Sequence, residues 1–335
     1  MRSHNQLSGL LFFGLLVAST IGTPCWAQAD ALTGQRLFGG ICTNCHGTNP
    51  SADNFRRAAL TPTGVSDAIN SVSSMRFLRN NLTANDIAGL QRFFEAVNVR
   101  PVAVRPQSGA YWNPFEAGRG FVIETNGDLL AISAYYYAAN GRATWSLAAG
   151  ALVQSRLESP LITQRGGQTL TGPYSAPQPA INLGTIEAIA TSERSMVLNW
   201  PGGWVLLERA SLRSDGALLP PRIGAPEAGF WWAPEENGRG YVIDIQDDQV
   251  FLAGYMYDAA GEPTWYLGVS ALNAQLNNFS TRWLEFAGGQ TLTGPYQPNR
   301  LVNGNVGALV IEFDTPRSAT LVLPDGRRQR IVRFF

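Results

Sequence analysis

The sequence predicts a multidomain chain in which a small all-α domain precedes two all-β repeat domains, each an antiparallel sandwich or barrel. Three observations predict this. Apolar residues follow helical spacing up to about residue 98, Gly, Trp and Tyr become abundant beyond residue 105, and the second part of the chain repeats itself. A length of 335 residues also exceeds what one core normally fills.

Acidic and basic residues balance at 25 each, and every basic residue is an arginine. A neutral chain without a basic block gives no electrostatic ground for nucleic-acid binding. The hydrophobic fraction of 45% is that of ordinary globular protein, so disorder is not expected.

Residues 1–29 read as a signal peptide. Arg2 supplies the positive start, residues 7–18 are largely apolar, and Ala27-Gln28-Ala29 fits the small-x-small cleavage pattern before Asp30. The apolar stretch falls short of the ~20 residues that a membrane span needs. The expectation is a bacterial protein of the periplasm or the secreted fraction, with no span after cleavage; a retained anchor is the alternative. Pro24 argues against Cys25 as a lipid acceptor.

Removing this leader takes away Cys25 and His4. Of three cysteines and two histidines, Cys42, Cys45 and His46 remain. They form Cys42-Thr43-Asn44-Cys45-His46, the C-x-x-C-H pattern of covalent haem attachment. Two intervening residues let one helical turn bring both thiols to the vinyl groups of a porphyrin while the histidine reaches the iron. A thioredoxin-like pair would follow a strand, a disulfide across two residues would be strained, and a zinc site lacks further ligands.

Through this motif and its helical surroundings, the segment 30–98 resembles the class I c-type cytochrome family. The resemblance implies a haem domain in which an N-terminal helix crosses a C-terminal one. Residues 32–38 look like the first helix, with Gly34 and Phe38 at the crossing, and residues 82–97 look like the last. Residue pattern supports that last helix independently: Thr83 is a good N-cap, Asp86 completes an approximate capping box, and Ile87, Leu90, Phe93, Phe94 and Val97 share one face. The order of an Ile-Asn segment, Met75 and a Leu-Thr helix start is similar to the family's distal-ligand region. Elimination agrees: the mature chain has no second histidine and no lysine, leaving Met75 as the candidate sixth iron ligand. The alternative for Met75 is a core filler. Arg56, Arg57, Arg76 and Arg79 suit haem propionates by chemistry, though singly each reads as a surface charge.

The functional expectation is an exported carrier with one covalent haem c. Its iron lies between His46 and Met75 and exchanges one electron with an unidentified redox partner protein, without enzymatic turnover. The alternative is a haem-based sensor or redox-enzyme subunit in which Met75 is displaced or absent.

Residues 99–108, with two prolines, read as a linker. Repeat 1 spans 109–212, a second linker 213–228, and repeat 2 spans 229–335. Gly109, Trp112, Glu116, Arg119, Tyr135, Tyr137 and Trp145 are among the residues that recur 120 positions later. Gly166 to Tyr174 returns unchanged at Gly288 to Tyr296, with an offset two residues larger. Alternation marks strands, and Val250, Leu252, Gly254 and Met256 mark a core face opposite Tyr255 and Tyr257. The polar and aromatic face, with Glu116, Arg119, Glu236 and Arg239, has two readings. It docks a protein or glycan surface, or it is buried between the copies, with Arg119 and Arg239 pairing with Glu124 and Asp244. Without His or Cys, the repeats offer little for catalysis.

Overall fold

A computed structural model describes residues 31–47, 50, 53–98 and 104–335. The expected signal peptide lies outside the described residues, as do residues 99–103 of the first linker. No helix among the described residues is long and apolar enough to cross a membrane.

Each repeat closes into an eight-stranded antiparallel barrel of sequential strands, β1 (Gly109–Trp112) to β8 (Gly203–Arg209) and β9 (Gly229–Trp232) to β16 (Arg328–Arg333). Closure comes from pairing of the first and last strands, at Tyr111 with Arg209 and at Trp231 with Arg333. It leaves neither sheet with an open edge. Tight turns join the strands. Gly127, in the left-handed region at φ 57°, turns the chain between β2 (Gly120–Asn126) and β3 (Leu129–Tyr137), and Asp247 does the same in the second copy.

The period-two pattern sorts side chains to two different cores. In β3, Leu130, Ile132, Ala134 and Tyr136 fill the first barrel, while Tyr135 and Tyr137 face outward. In β11 (Gln249–Tyr257), Val250, Leu252 and Met256 fill the second barrel, as the sequence predicts. The outward faces meet, burying Tyr135, Tyr137, Trp145, Tyr257 and Trp265 in a third apolar cluster between the barrels.

This interface is reciprocal about a pseudo-twofold axis. Trp145 Nε1 donates to the Met256 carbonyl at 3.0 Å, and Trp265 Nε1 donates to the Tyr136 carbonyl at 3.3 Å. Leu170, from the repeated loop of copy one, enters the core of barrel two, and Leu292 packs on the core of barrel one. Each barrel is stoppered by the other's loop. The strict retention of that loop follows: a Cβ on Gly167 would lie 2.1 Å from the Tyr257 ring, and one on Gly289 would lie 2.2 Å from Tyr137.

The helical segment departs from the expected small all-α cytochrome c domain, and that expectation is corrected here. Helix makes up 18% of the described residues, and the fold is two β-barrels with a helical annex. Helix α1 (Ala31–Leu37) runs through a π turn at Phe38–Cys42 into the single turn α2 (Thr43–His46). Two short helices, α3 (Asp53–Ala59) and α4 (Gly64–Ser71), and a 3₁₀ segment at Ser73–Asn80 lead to α5 (Ala84–Asn98). Their core is not self-contained: Val197, Leu206 and Trp204 of barrel one pack into it beside Phe38 and Phe93. Trp204 lies over Phe93 with centroids 5.0 Å apart, and the Leu206 amide donates to Gln35 Oε1 at 3.2 Å. A short set of helices lacks apolar surface to close a core alone, and the barrel wall supplies the missing side. The linker is likewise not free along 104–108, because Thr125 Oγ1 donates to the Pro106 carbonyl and Ser155 Oγ accepts from the Val104 amide.

Two local expectations hold. A Cβ on Gly34 would lie 2.0 Å from the Gly89 carbonyl oxygen, so α1 and α5 cross closely there. At the start of α5, Asp86 Oδ2 accepts from the Thr83 amide at 2.8 Å, and Thr83 Oγ1 accepts from the Asp86 amide at 3.2 Å.

Candidate functional site

The C-x-x-C-H residues occupy the turn that ends the first helical run. Thr43 Oγ1 donates to the Gly39 carbonyl at 2.8 Å, and the Gly47 amide caps the turn by donating to the Thr43 carbonyl at 3.1 Å. Gly47 adopts φ 72°, a backbone that only glycine accepts easily, so the chain breaks immediately after His46.

Both cysteines carry free thiols. Cys45 and His46 are exposed, while Cys42 is half-buried against the Phe38 cluster. Burial, with a smaller contribution from neighbouring Cys45, pushes the Cys42 thiol up to about 11. The His46 ring stands edge-on to Phe55 at 5.3 Å, and its Nδ1 lies 2.9 Å from the amide of Asn54. Amide oxygen and nitrogen exchange places by a half-turn. With Oδ1 toward the ring, Asn54 accepts a proton held on Nδ1, leaving the Nε2 lone pair available to a metal.

Met75 lies in the 3₁₀ segment, half-buried on the same apolar cluster that receives Cys42. The site residues expected from sequence therefore fall into one group of three on a single turn, with Met75 sharing their apolar support. Arg79 is committed to the Asn70 carbonyl, and Arg56, Arg57 and Arg76 are exposed.

Among the described residues no three His, Cys, Asp or Glu side chains gather as a metal-ion site. The expected haem iron between His46 and Met75 thus finds no assembled metal site among the described residues. The donor set fits a haem group: two free thiols on one turn, an exposed imidazole whose Nδ1 is held, and a thioether on the adjoining apolar wall.

The repeat residues chosen from sequence are nearly all internal. Arg119 and Arg239 do not pair with Glu124 and Asp244 as expected. Arg119 pairs with Glu116 at 2.9 Å, and Arg239 pairs with Glu236 at 2.8 Å. Glu124 instead binds Arg333 across the interface, and Asp244 binds Arg209 at 2.6 Å. Arg209, Arg333, Asn54 and Phe55 were not legible as partners. The copy offset drifts through two insertions before it reaches Arg209 and Arg333, and no motif ties Asn54 to His46.

No protein-family model matches the chain, and no curated protein matches it. Membership of the class I c-type cytochrome family is therefore overturned on two grounds: the described fold has no free-standing all-α domain, and no family model matches.

Proposed function

We propose that Cys42 and Cys45 would hold one haem covalently, with His46 as a ligand to its iron, and that the chain is an exported one-electron carrier. The observation that carries this reading is the pair of free thiols beside an exposed imidazole on one capped turn. In attachment, each sulfur forms a bond to one vinyl carbon, and the thiol hydrogen passes to the other. Bound there, haem supplies a one-electron iron couple. His46 supplies Nε2, Asn54 fixes the ring, and Phe55 limits its rotation. Met75, packed on the apolar cluster that also receives Cys42, would supply a second protein ligand to the iron.

The raised thiol of Cys42 weighs against a dithiol exchange role, because such chemistry uses the thiolate and favours a lowered value. The expected leader over 1–29 favours attachment outside the cytoplasm. A redox partner protein would approach the exposed Cys45 and His46 side.

Production in a host competent for haem maturation tests the reading. The expected product is coloured and exceeds the bare polypeptide mass by one haem, and the Cys42→Ser, Cys45→Ser double variant loses that increment. Met75→Ala is expected to abolish the methionine–iron charge-transfer band and leave the mass unchanged. A colourless wild-type product of bare-chain mass overturns the proposal.

A further inference from the structure

We propose that the cleft where the helices, barrel one and the repeated loop of barrel two meet binds a short neutral oligosaccharide. The cleft encloses about 760 Å³ and is walled by Arg36 and Thr43 of the helical run, by Glu116 and Arg119 of barrel one, and by Gln290 and Tyr296 of the loop. That volume suits a small ligand, roughly two or three sugar rings.

Comparison of the two copies shows what is unusual there. Arg239 spends four hydrogen bonds: on the Thr169 and Leu170 carbonyls, on Glu236 and on Gln329. Gln329 also bonds Glu236 at 2.6 Å and accepts from the Tyr241 hydroxyl at 3.2 Å, filling the position. Barrel closure pairs Tyr111 with Arg209 in one copy and Trp231 with Arg333 in the other, so Val205 occupies the place of Gln329. Phe121 likewise replaces Tyr241. Arg119 is consequently 5% exposed yet makes two hydrogen bonds, to the Leu292 carbonyl and to Glu116. Its guanidinium lies 5.2 Å from the Trp200 ring centre. A guanidinium carries five N–H donors, and leaving them unmet in a buried place is costly.

The ligand class follows from the groups left over. Trp200 Nε1 has no acceptor among the described residues and no counterpart in the other copy, whereas Arg119 Nε and Gln290 Oε1 are unmet as their counterparts Arg239 Nε and Gln168 Oε1 also are. A hydroxyl both donates and accepts. Glu116 already offsets the charge of Arg119, which disfavours an anion. Phe115 and Tyr296, each 46% exposed, stand at the rim, where Arg36 covers one face of Phe115 and the open ring faces suit the apolar side of a sugar ring. A peptide is disfavoured because both barrels are closed and offer no edge for strand addition.

Neither cysteine lines the cleft, but Thr43 between them does, so binding is measured on both the haem-bearing and the haem-free chain. The full chain, with or without haem, is titrated with maltotriose, cellotriose and triacetylchitotriose, followed by tryptophan emission and calorimetry. At least one is expected to bind with Kd of about 1 mM or tighter. The Phe115→Ala, Tyr296→Ala double variant, altered at the exposed rim, is expected to weaken binding about tenfold with thermal unfolding unchanged. Arg119→Gln is expected to weaken it further, and Tyr174→Ala, at the corresponding loop position of the other copy, to leave it unchanged. Silence of all three sugars at 10 mM, binding of the tripeptide Gly-Phe-Gly instead, or binding indifferent to the rim variant overturns the proposal.

Discussion

At the residue scale, the C-x-x-C-H turn was readable because its residue types are rare in the chain: two cysteines and one histidine remain once the expected leader is set aside. Burial was not readable, and it makes the two thiols unequal. With the Cys42 thiol at about 11, its thiolate amounts to roughly one part in a thousand at pH 8. Iodoacetamide treatment of the haem-free chain is therefore expected to modify exposed Cys45 well before Cys42. Peptide mass spectrometry over time checks this, and equal rates would show that Cys42 is not shielded. The partner of His46 was hidden for a different reason. Asn54 reaches the ring through the fold of a connecting segment, and no spacing rule links the two positions.

At the element scale, helix α5 was legible from end to end because cap and periodicity agree. The Thr83 amide and hydroxyl donate to the Asp86 carboxylate and hold it below the ordinary aspartate value of 3.8. Since the folded value lies beneath the unfolded one, the contribution of this cap is complete above the unfolded value and is lost as pH falls through the folded value. Protection of the amides in the first turn of α5, taken relative to their intrinsic exchange rates at each pH, is expected to fall below about pH 4, and Asp86→Asn is expected to flatten that dependence. The repeated loop was legible as a repeat but not as a stopper, because only packing shows that its glycines accommodate tyrosine rings from the other copy. Gly289→Ala is expected to destabilise by about 1–3 kcal/mol through overpacking, measured by urea unfolding. Gly127→Ala is the contrasting variant, since an added Cβ there meets open space and only backbone strain remains.

At the scale of the whole molecule, the sequence revealed two β copies, the face each turns to its core and burial between the copies as one of two readings of the opposite face, which the structure bears out, but not that the helices lean on barrel one. Long-range burial of this kind leaves no local pattern, and an aromatic face destined for a sister domain looks the same in sequence as one destined for a ligand. A chain cut within 213–228 tests the assembly. Each piece produced alone is expected to aggregate, having exposed Tyr135, Tyr137 and Trp145 or their counterparts, whereas co-produced pieces are expected to elute together in size-exclusion chromatography. Truncation after residue 98 is similarly expected to lower the cooperativity of helix melting, followed by circular dichroism, because Trp204 and Leu206 go with the barrel. The reciprocal interface has one more consequence. Its contacts are those of an isologous homodimer whose subunits have been joined end to end. A separate pair would fall apart on dilution, but the covalent joint holds the local concentration of each subunit constant. The intact chain should accordingly unfold at the same temperature across a thousandfold range of protein concentration.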